Sequence, residues 1–180
     1  VDDINLIGDH NYENVMAALA IAEAAGVPSD ITIDVTKNFH AVEHRIEKVD
    51  TIDGVVYYND SKGTNTDASI KAIKAMSRPT LLIAGGYDKN SPYDDFIENF
   101  DGKIKELVLI GATAEKIKAC ALEHGFTNIK MADSLEEAVS ICKADSENGD
   151  AVLLSPACAS WDMFKSYEQR GRLFKDLVKG

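Results

Sequence analysis

A chain of 180 residues can build one substantial buried core with a smaller appendage. Its hydrophobic fraction of 45% and charged fraction of 27% are typical of a soluble globular protein, and its sequence suggests neither a membrane span nor a signal peptide. The net charge of −11 argues against nucleic acid or an anionic membrane as the main partner, although binding a small anion needs only a few local donors.

The first segment of the chain predicts a short strand followed by a long helix. Residues 1–7 resemble a strand entered in mid-fold, without an initiator methionine, and we expect the chain to be an excised fragment. The helix is predicted over 12–25 and ends at Gly26. Its apolar stripe at helical spacing is expected to be buried and consists of Val15, Ala18, Leu19 and Ala22.

Two amide side chains lie at the predicted entrance of this helix. Asn11 and Asn14 are three positions apart, which places them on one side of the helix. Spacing alone favours a structural role, in which the two amides cap free backbone groups.

The next segment, 28–39, has apolar residues that fit both a helix and a strand. Pro28 as a first-turn residue favours the helix. A new α/β pattern begins after residues 39–44, so the domain junction is expected there. Residues 45–50 and 55–58 then predict a β-hairpin whose turn contains an Asp-Gly pair.

From the hairpin onward, strands and helices alternate. The predicted strands are 80–84, 106–110, 128–131 and 151–154, and the predicted helices are 66–76, 93–100, 114–124, 135–143 and 163–179. Ser134 and Glu137 predict a capping box, and His124 is expected to be a helix-end residue rather than a ligand. The alternation predicts the α/β class, with a mainly parallel, Rossmann-like sheet and helices on both faces.

Three apolar strands of this predicted sheet run straight into small, polar loops. The loops read NDSKGTN (59–65), GGYDK (85–89) and SPACAS (155–160). Because ligands in open parallel sheets bind beyond the carboxyl ends of strands, we predict one composite site. Lys62 and Lys89 supply its positive charge, and Gly63 is expected to let the backbone approach a ligand. A helix-capping turn is the alternative for NDSKGTN.

Five motifs in this order resemble the Mur ligase family. They are GDHNYENVMAALA, the His44-Arg45 pair, NDSKGTN, GGYDK and LLSPACASWDMFKSYEQRG. NDSKGTN resembles the corresponding loop of the ligases that add D-glutamate. Other branches of the family, and the folylpolyglutamate synthases, carry His-, Tyr- or Pro-containing loops at this position. The resemblance implies an ATP-dependent ligase of peptidoglycan synthesis. Such an enzyme phosphorylates the carboxylate of UDP-N-acetylmuramoyl-L-alanine to an acyl phosphate, which the amine of D-glutamate then attacks.

The resemblance also implies roles for individual residues. The implied ATP-binding positions are Asn11 and Asn14 at the adenine, Arg45 at the phosphates, Asp60 at the ribose and Lys62 near the phosphates. Lys62 is also the implied catalytic residue. The implied D-glutamate contacts are Thr64, Lys89, Ser160, Trp161 and Tyr167. Arg170 is left without a role.

The chain has no GxxxxGK[ST] phosphate loop. The resemblance places the Mg²⁺ ligands in a central domain, so no metal ligand is expected among residues 1–180. Residues 1–40 would be the C-terminal end of a central ATPase domain, and 41–180 the family's C-terminal domain. By itself the chain is expected to be inactive. The alternative is a stand-alone, non-catalytic module that binds a nucleotide or an acidic amino acid.

The three cysteines are odd in number and too widely spaced for a metal cluster. They are interpreted as reduced thiols of a cytoplasmic protein. We expect a monomer whose partners are the small-molecule substrates, with neither nucleic acid nor membrane among them.

Overall fold

A computed structural model describes residues 4–87 and 89–180. The chain forms two compact units, residues 1–42 and residues 43–180. The predicted strand over 1–7 falls partly on residues 1–3, which lie outside the described residues. Within 4–7, Asn5 makes an isolated parallel bridge with His40. None of the helices in the described part of the chain is long and apolar enough to cross a bilayer.

Over its described residues, 4–42, the first unit contains two helices, α1 (Asp9–Ala24) and α2 (Ser29–Asn38). α1 begins directly after Gly8, earlier than predicted, because the positive φ of Gly8 (94°) turns the chain into the helix at that point. Asn11 and Asn14 therefore lie inside the helix, and the expectation that they cap its entrance was wrong. The predicted end at Gly26 is confirmed, since Gly26 has φ 79° and its N–H donates to the carbonyl of Glu23.

The apolar stripe of α1 is less covered than expected. None of its residues is fully buried: Val15, Leu19 and Ala22 are half-buried and Ala18 is exposed. The prediction of a buried stripe was wrong because α2 is the helix of this unit that packs against α1, and one neighbour shields only part of a stripe. The predicted helix after Pro28 is confirmed as α2.

In the part of the chain that the structure describes, the second unit is a six-stranded sheet with five helices. In chain order its elements are β1 (Glu47–Ile52), β2 (Val55–Asn59), α3 (Thr66–Ala75), β3 (Thr80–Gly85), α4 (Asp94–Glu98), β4 (Ile104–Ile110), α5 (Ala114–Glu123), β5 (Ile129–Met131), α6 (Leu135–Asp145), β6 (Ala151–Leu154) and α7 (Tyr167–Lys179). The strand order is β1-β2-β6-β3-β4-β5. β1 is antiparallel to β2, and every other pairing is parallel. The predicted hairpin and the mainly parallel sheet are confirmed.

The central strands are buried because both faces of the sheet are covered. β3, β4 and β6 are almost continuously apolar, as expected for parallel strands between two helical layers. Leu81 and Ile83 point into one core together with the apolar faces of α6 and α7. The alternate positions, Leu82 and Ala84, are fully buried on the opposite face, where α3, α4 and α5 lie.

Two helix starts show how local chemistry sets the boundaries. α7 begins at Tyr167 rather than at 163, because the Ser166 hydroxyl accepts a hydrogen bond from Gln169 N at 3.3 Å and so caps the helix there. At α6 the Ser134 hydroxyl accepts from Glu137 N at 3.2 Å, as predicted. The Glu137 carboxylate, however, accepts from Asp133 N at 2.7 Å, one residue before the position that a capping box uses.

Candidate functional site

Three loops meet at one edge of the sheet. β6 lies between β2 and β3, with Leu154 opposite both Asn59 and Ile83, so the carboxyl ends of the three strands are adjacent. The loops that follow are here called the first loop (60–65), the second loop (86–93) and the third loop (155–166). The predicted convergence is confirmed. Asp88, within the predicted GGYDK motif, lies outside the described residues.

A buried guanidinium ties the first loop to the third. Arg170, on α7, is 1% exposed. Its Nη2 donates to the Ser61 carbonyl at 2.8 Å and its Nε contacts the Ser61 hydroxyl at 3.0 Å. The carbonyls of Cys158 and Ala159 accept from its Nη1 at 3.3 and 3.4 Å. Burial lowers the pKa of Arg170 to about 10, so the side chain remains charged at neutral pH.

A second link joins the same two loops through a carboxyl group. The Ser155 hydroxyl donates to Asp60 Oδ2 at 2.6 Å, and Ile46 N donates to Asp60 Oδ1 at 3.3 Å. Asp60 is 5% exposed, and burial raises its pKa to about 7. Gly63 lies against this pair, since a Cβ on it would come within 2.5 Å of Asp60 Oδ2. Gly63 thus permits a close approach to the Asp60 carboxyl group, and the predicted approach of its backbone to a ligand stays a prediction.

Asp60→Asn should flatten the pH dependence of stability between about pH 4 and pH 7. Because the pKa of Asp60 is raised to about 7, the stability that its proton provides is complete below the unfolded pKa of about 4 and is lost as the pH rises through 7. Asparagine does not titrate and still accepts from Ser155. Urea unfolding across this range should show a smaller loss for the variant than for the wild type.

Asp67→Asn is the matched control, because Asp67 is an exposed carboxylate in the first turn of α3. The loss of stability between about pH 4 and pH 7 should persist in this variant, because Asp60 is intact. Parallel stability curves for Asp60→Asn and the wild type would show that Asp60 does not hold a proton at neutral pH.

The segment around Arg45 is held against the first loop. Lys62 N donates to the His44 carbonyl at 3.1 Å, and His44 Nδ1 lies 2.9 Å from Asn59 Nδ2. His44 is buried at 2% exposure, whereas the Arg45 side chain is exposed. A Cβ on Gly171 would come within 2.3 Å of His44 Nδ1, so glycine is required where α7 passes this ring. The exposed guanidinium of Arg45 is thereby carried by a fixed backbone.

The open side of the three loops carries two ammonium groups beside aromatic rings. Lys62 Nζ lies 5.6 Å from the ring centroid of Tyr167, and Lys89 Nζ lies 5.3 Å from that of Trp161. Trp161 is 65% exposed and also contacts the Tyr87 ring at 5.5 Å. These cations and exposed aromatic faces form a surface suited to an anionic ligand, at the edge of the sheet where such ligands bind.

The second loop approaches the third closely because it begins with glycine. Tyr87 N donates to the Ala159 carbonyl at 2.9 Å, and a Cβ on Gly86 (φ 143°) would come within 2.3 Å of the same carbonyl oxygen. The Gly86 backbone is in turn anchored by Thr113, whose hydroxyl accepts from Gly86 N at 3.0 Å. This contact orients the part of the loop that leads to Lys89.

The structure brings most of the predicted residues together. Those carried by the three loops and by the start of α7 are Asp60, Lys62, Thr64, Lys89, Ser160, Trp161 and Tyr167. Thr64 is half-buried, and Ser160 is 2% exposed. Asn11 and Asn14 belong to the first unit, where the Asn11 amide donates to the Ile7 carbonyl at 2.8 Å.

The residues that sequence reasoning did not assign are those that join the loops. The sequence patterns assign no role to Arg170, Ser69 or Thr113. Ser69 Oγ lies 2.8 Å from Ser155 Oγ and accepts from Ala157 N at 2.9 Å. The available signal was a polar residue on the inner face of a predicted helix: Arg170 lies four positions before Phe174, which is buried.

This fold and loop arrangement define an α/β domain in which three loops and two ammonium groups lie at one edge of a mainly parallel sheet. Residues 44–158 match the family model described as Mur ligase, glutamate ligase domain, and the chain belongs to the Mur ligase family. Its relatives include UDP-N-acetylmuramoylalanine–D-glutamate ligase of Lachnospira eligens, 61% identical over 99% of this chain and 40% of that protein. The enzyme of the same name from Lachnoclostridium phytofermentans is 58% identical over 99% of this chain and 39% of that protein.

The solved structures that resemble this chain show the same fold. UDP-N-acetylmuramate–alanine ligase of Thermotoga maritima superposes with a TM-score of 0.72 at 14% identity, covering 98% of this chain and 39% of that one. A folylpolyglutamate synthase of Mycobacterium tuberculosis, solved with ADP and AMPPCP, gives a TM-score of 0.69 at 15% identity over 95% of this chain and 41% of that one. The chain thus spans about 40% of the length of the curated relatives named above.

Proposed function

We propose that this chain is the part of an ATP-dependent ligase that contacts D-glutamate and the nucleotide. The whole enzyme would add D-glutamate to UDP-N-acetylmuramoyl-L-alanine in peptidoglycan synthesis. The observation that carries the proposal is identity of 61% to a D-glutamate ligase over 99% of the chain. The joined loops support it, because they present two ammonium groups on one edge of the sheet.

The chemistry requires leaving-group activation and the positioning of two reactants. Phosphorylation turns the muramoyl-alanine carboxylate into an acyl phosphate, and the amine of D-glutamate displaces phosphate from it. We assign Lys62 to the phosphates and the reaction centre. We assign Thr64, Ser160 and Lys89 to D-glutamate, together with Trp161 and Tyr167, because a dianionic amino acid needs a cation and several donors.

The nucleotide contacts are proposed for residues of both units. We assign the adenine to Asn11 and Asn14, the phosphates to Arg45 and the ribose hydroxyls to Asp60. Both oxygens of Asp60 accept hydrogen bonds within the fold, so a ribose hydroxyl would be an additional partner on a free lone pair. We further propose that residues 1–40 end a central ATPase domain and that 41–180 form the C-terminal domain.

Mg²⁺ would neutralise phosphate charge during the reaction. Among the described residues, the carboxylates of the three loops do not fit as its ligands: burial raises the pKa of Asp60 to about 7, so its carboxyl group is partly protonated at neutral pH, and Asp162 already accepts from Ala112 N at 2.9 Å. We therefore propose that the Mg²⁺ ligands lie in the rest of the protein. We also propose that the enzyme is a cytoplasmic monomer acting on small-molecule substrates.

Activity measurements on two proteins test this proposal. The full-length enzyme should release phosphate from ATP when D-glutamate and UDP-N-acetylmuramoyl-L-alanine are both present. The 180-residue chain should release none above background, because it contains no GxxxxGK[ST] loop. A full-length protein that accepts another amino acid in place of D-glutamate would refute the substrate assignment.

The alternative function is a non-catalytic binding module, and calorimetry separates the two. As part of a ligase, the 180-residue chain lacks a GxxxxGK[ST] phosphate loop and should bind ADP weakly. Sub-micromolar ADP affinity by this chain would favour the binding module and show that the nucleotide site is complete within it.

A further inference from the structure

A mixed group of metal-ligating side chains lies on α4 and α5, where the second loop ends. Cys120 and His124 are four positions apart at the end of α5, so they share one helix face. Asp94 begins α4. One ligand atom from each of these three residues lies within 4.8 Å of the other two.

The histidine ring is directed at α4 through both of its nitrogens. His124 Nε2 lies 3.2 Å from Asp94 Oδ1, and His124 Nδ1 lies 3.7 Å from Glu98 Oε1. The side chains of Asp94 and His124 are 62% and 26% exposed, so an ion in solution can reach them. The thiol is half-buried next to them.

We propose that Asp94, Cys120 and His124 form a zinc site that joins α4 to α5. A thiolate, an imidazole and a carboxylate are the three ligand types that Zn²⁺ uses in proteins. Bonds of about 2.0–2.3 Å at tetrahedral angles place two ligand atoms about 3.5 Å apart, a spacing that small side-chain rotations produce here. The fourth position is left for water or for the nearby Glu98 carboxylate.

The electrostatic field around the thiol favours a cation. The carboxylates of Asp94, Glu123 and Glu98 all lie close enough to act on the Cys120 thiol, so its surroundings are acidic. A bound divalent cation would offset part of this negative charge. The spacing of the ligand atoms is the observation that carries the proposal.

A second histidine–carboxylate cluster differs from the first because a lysine already neutralises part of its negative charge. Glu43, His44 and Glu47 also bring ligand atoms within 4.8 Å of one another. The Lys175 ammonium already lies 3.1 Å from Glu43 and 2.7 Å from Glu47, so this cluster contains its own cation. We therefore assign the zinc site to the α4–α5 cluster alone.

Zinc at this position would restrain the loop that carries Lys89. The second loop ends where α4 begins, at Asp94, and α5 is anchored in the core by Ile117 and Ala121. A metal bond from Asp94 to α5 would hold the far end of the second loop to the sheet. The metal has a structural role in this proposal and takes no part in the ligase chemistry.

Metal titration of the reduced 180-residue protein tests the site directly. Zn²⁺ should bind at one equivalent, and Co²⁺ should give the charge-transfer absorption of a cobalt–thiolate bond. Cys120→Ser should abolish that absorption. Each of Cys120→Ser, Asp94→Asn and His124→Gln should weaken Zn²⁺ binding by more than about 100-fold, the upper end of the cost of losing an outer-shell partner.

Two variants serve as matched controls. Glu123→Gln removes a negative charge beside the site without removing a proposed ligand, and His40→Gln removes a histidine of the first unit. Both should keep one-equivalent binding and the cobalt–thiolate absorption. Zn²⁺ should raise the melting temperature of the wild type in a concentration-dependent manner, and Cys120→Ser should not respond.

The outcomes that overturn the site are equally specific. Absence of saturable binding by the wild type would refute it, as would cobalt–thiolate absorption that survives in Cys120→Ser. An equal loss of affinity in Glu123→Gln and Asp94→Asn would show general attraction of cations by an acidic surface. Melting temperatures measured without metal identify any variant that fails to fold. If Cys120→Ser fails to fold, the Co²⁺ titration of Asp94→Asn tests the site instead, because unchanged binding in that variant would refute it.

Discussion

Arg170→Met should lower the free energy of unfolding of the second unit by at least about 3 kcal/mol. The guanidinium is 1% exposed, and Ser61 receives two of its shortest hydrogen bonds, at 2.8 and 3.0 Å. Bonds that involve a charged group contribute roughly 1.5–3 kcal/mol each, and their acceptors would remain buried without a donor. Methionine fills similar space but donates nothing. The loss should therefore exceed that of an ordinary core substitution.

Urea unfolding followed by Trp161 fluorescence measures this effect in the correct unit, because Trp161 is the single tryptophan of the chain and lies on the third loop. Arg172→Met is the matched control, since Arg172 lies two positions further on the same helix and is exposed. Its cost should stay within about 0.5 kcal/mol. Similar midpoints for the two variants would show that Arg170 does not hold the loops together.

Lys89→Ala in the full-length enzyme should lower kcat/KM for D-glutamate by about ten- to a hundredfold. This prediction rests on the proposed function, in which the Lys89 ammonium pairs with a D-glutamate carboxylate. A charge-assisted hydrogen bond contributes roughly 1.5–3 kcal/mol, which corresponds to that loss of rate. The dependence on ATP concentration should change much less, because the proposed nucleotide contacts are other residues.

The competing explanation is a solvated lysine that does no more than stack on Trp161, at 5.3 Å from the ring centroid. Removal of such a lysine costs within about 0.5 kcal/mol. Lys71→Ala, an exposed lysine of α3, sets the background for loss of one positive charge. Steady-state kinetics with each substrate varied in turn decide between them. Equal losses for D-glutamate and ATP, or no loss, would exclude Lys89 as the carboxylate contact.

The architecture of the second unit follows from the sequence because its signals are local. Apolar runs such as Leu81–Ala84 read as buried strands, and the turn at Asp53-Gly54 reads as a hairpin with two positive φ values, 51° and 81°. The first unit was harder to predict. The burial of an apolar stripe depends on which elements pack against it. The spacing of Val15 and Leu19 in the sequence does not specify those elements.

The candidate site shows the same division between local and non-local information. Strand ends and polar loops identified the edge where Lys62 and Lys89 lie, because the rule that places ligands there needs only topology. Arg170 could not be assigned, since its five hydrogen bonds reach residues 11 to 109 positions away. The α4–α5 ligand cluster escaped notice for the same reason: Asp94 and His124 are 30 positions apart.

The position of β6 has a consequence for how the protein matures. In the sheet, β6 lies between β2 and β3 and pairs with both of them, so these two strands are not neighbours. During synthesis, the hairpin and the β3-β4-β5 part of the sheet emerge first, and each exposes an unpaired strand edge until residues 151–154 arrive. Chains that stop before β6 are therefore expected to aggregate through these edges, and the edge that carries the three loops is the last part of the domain to assemble.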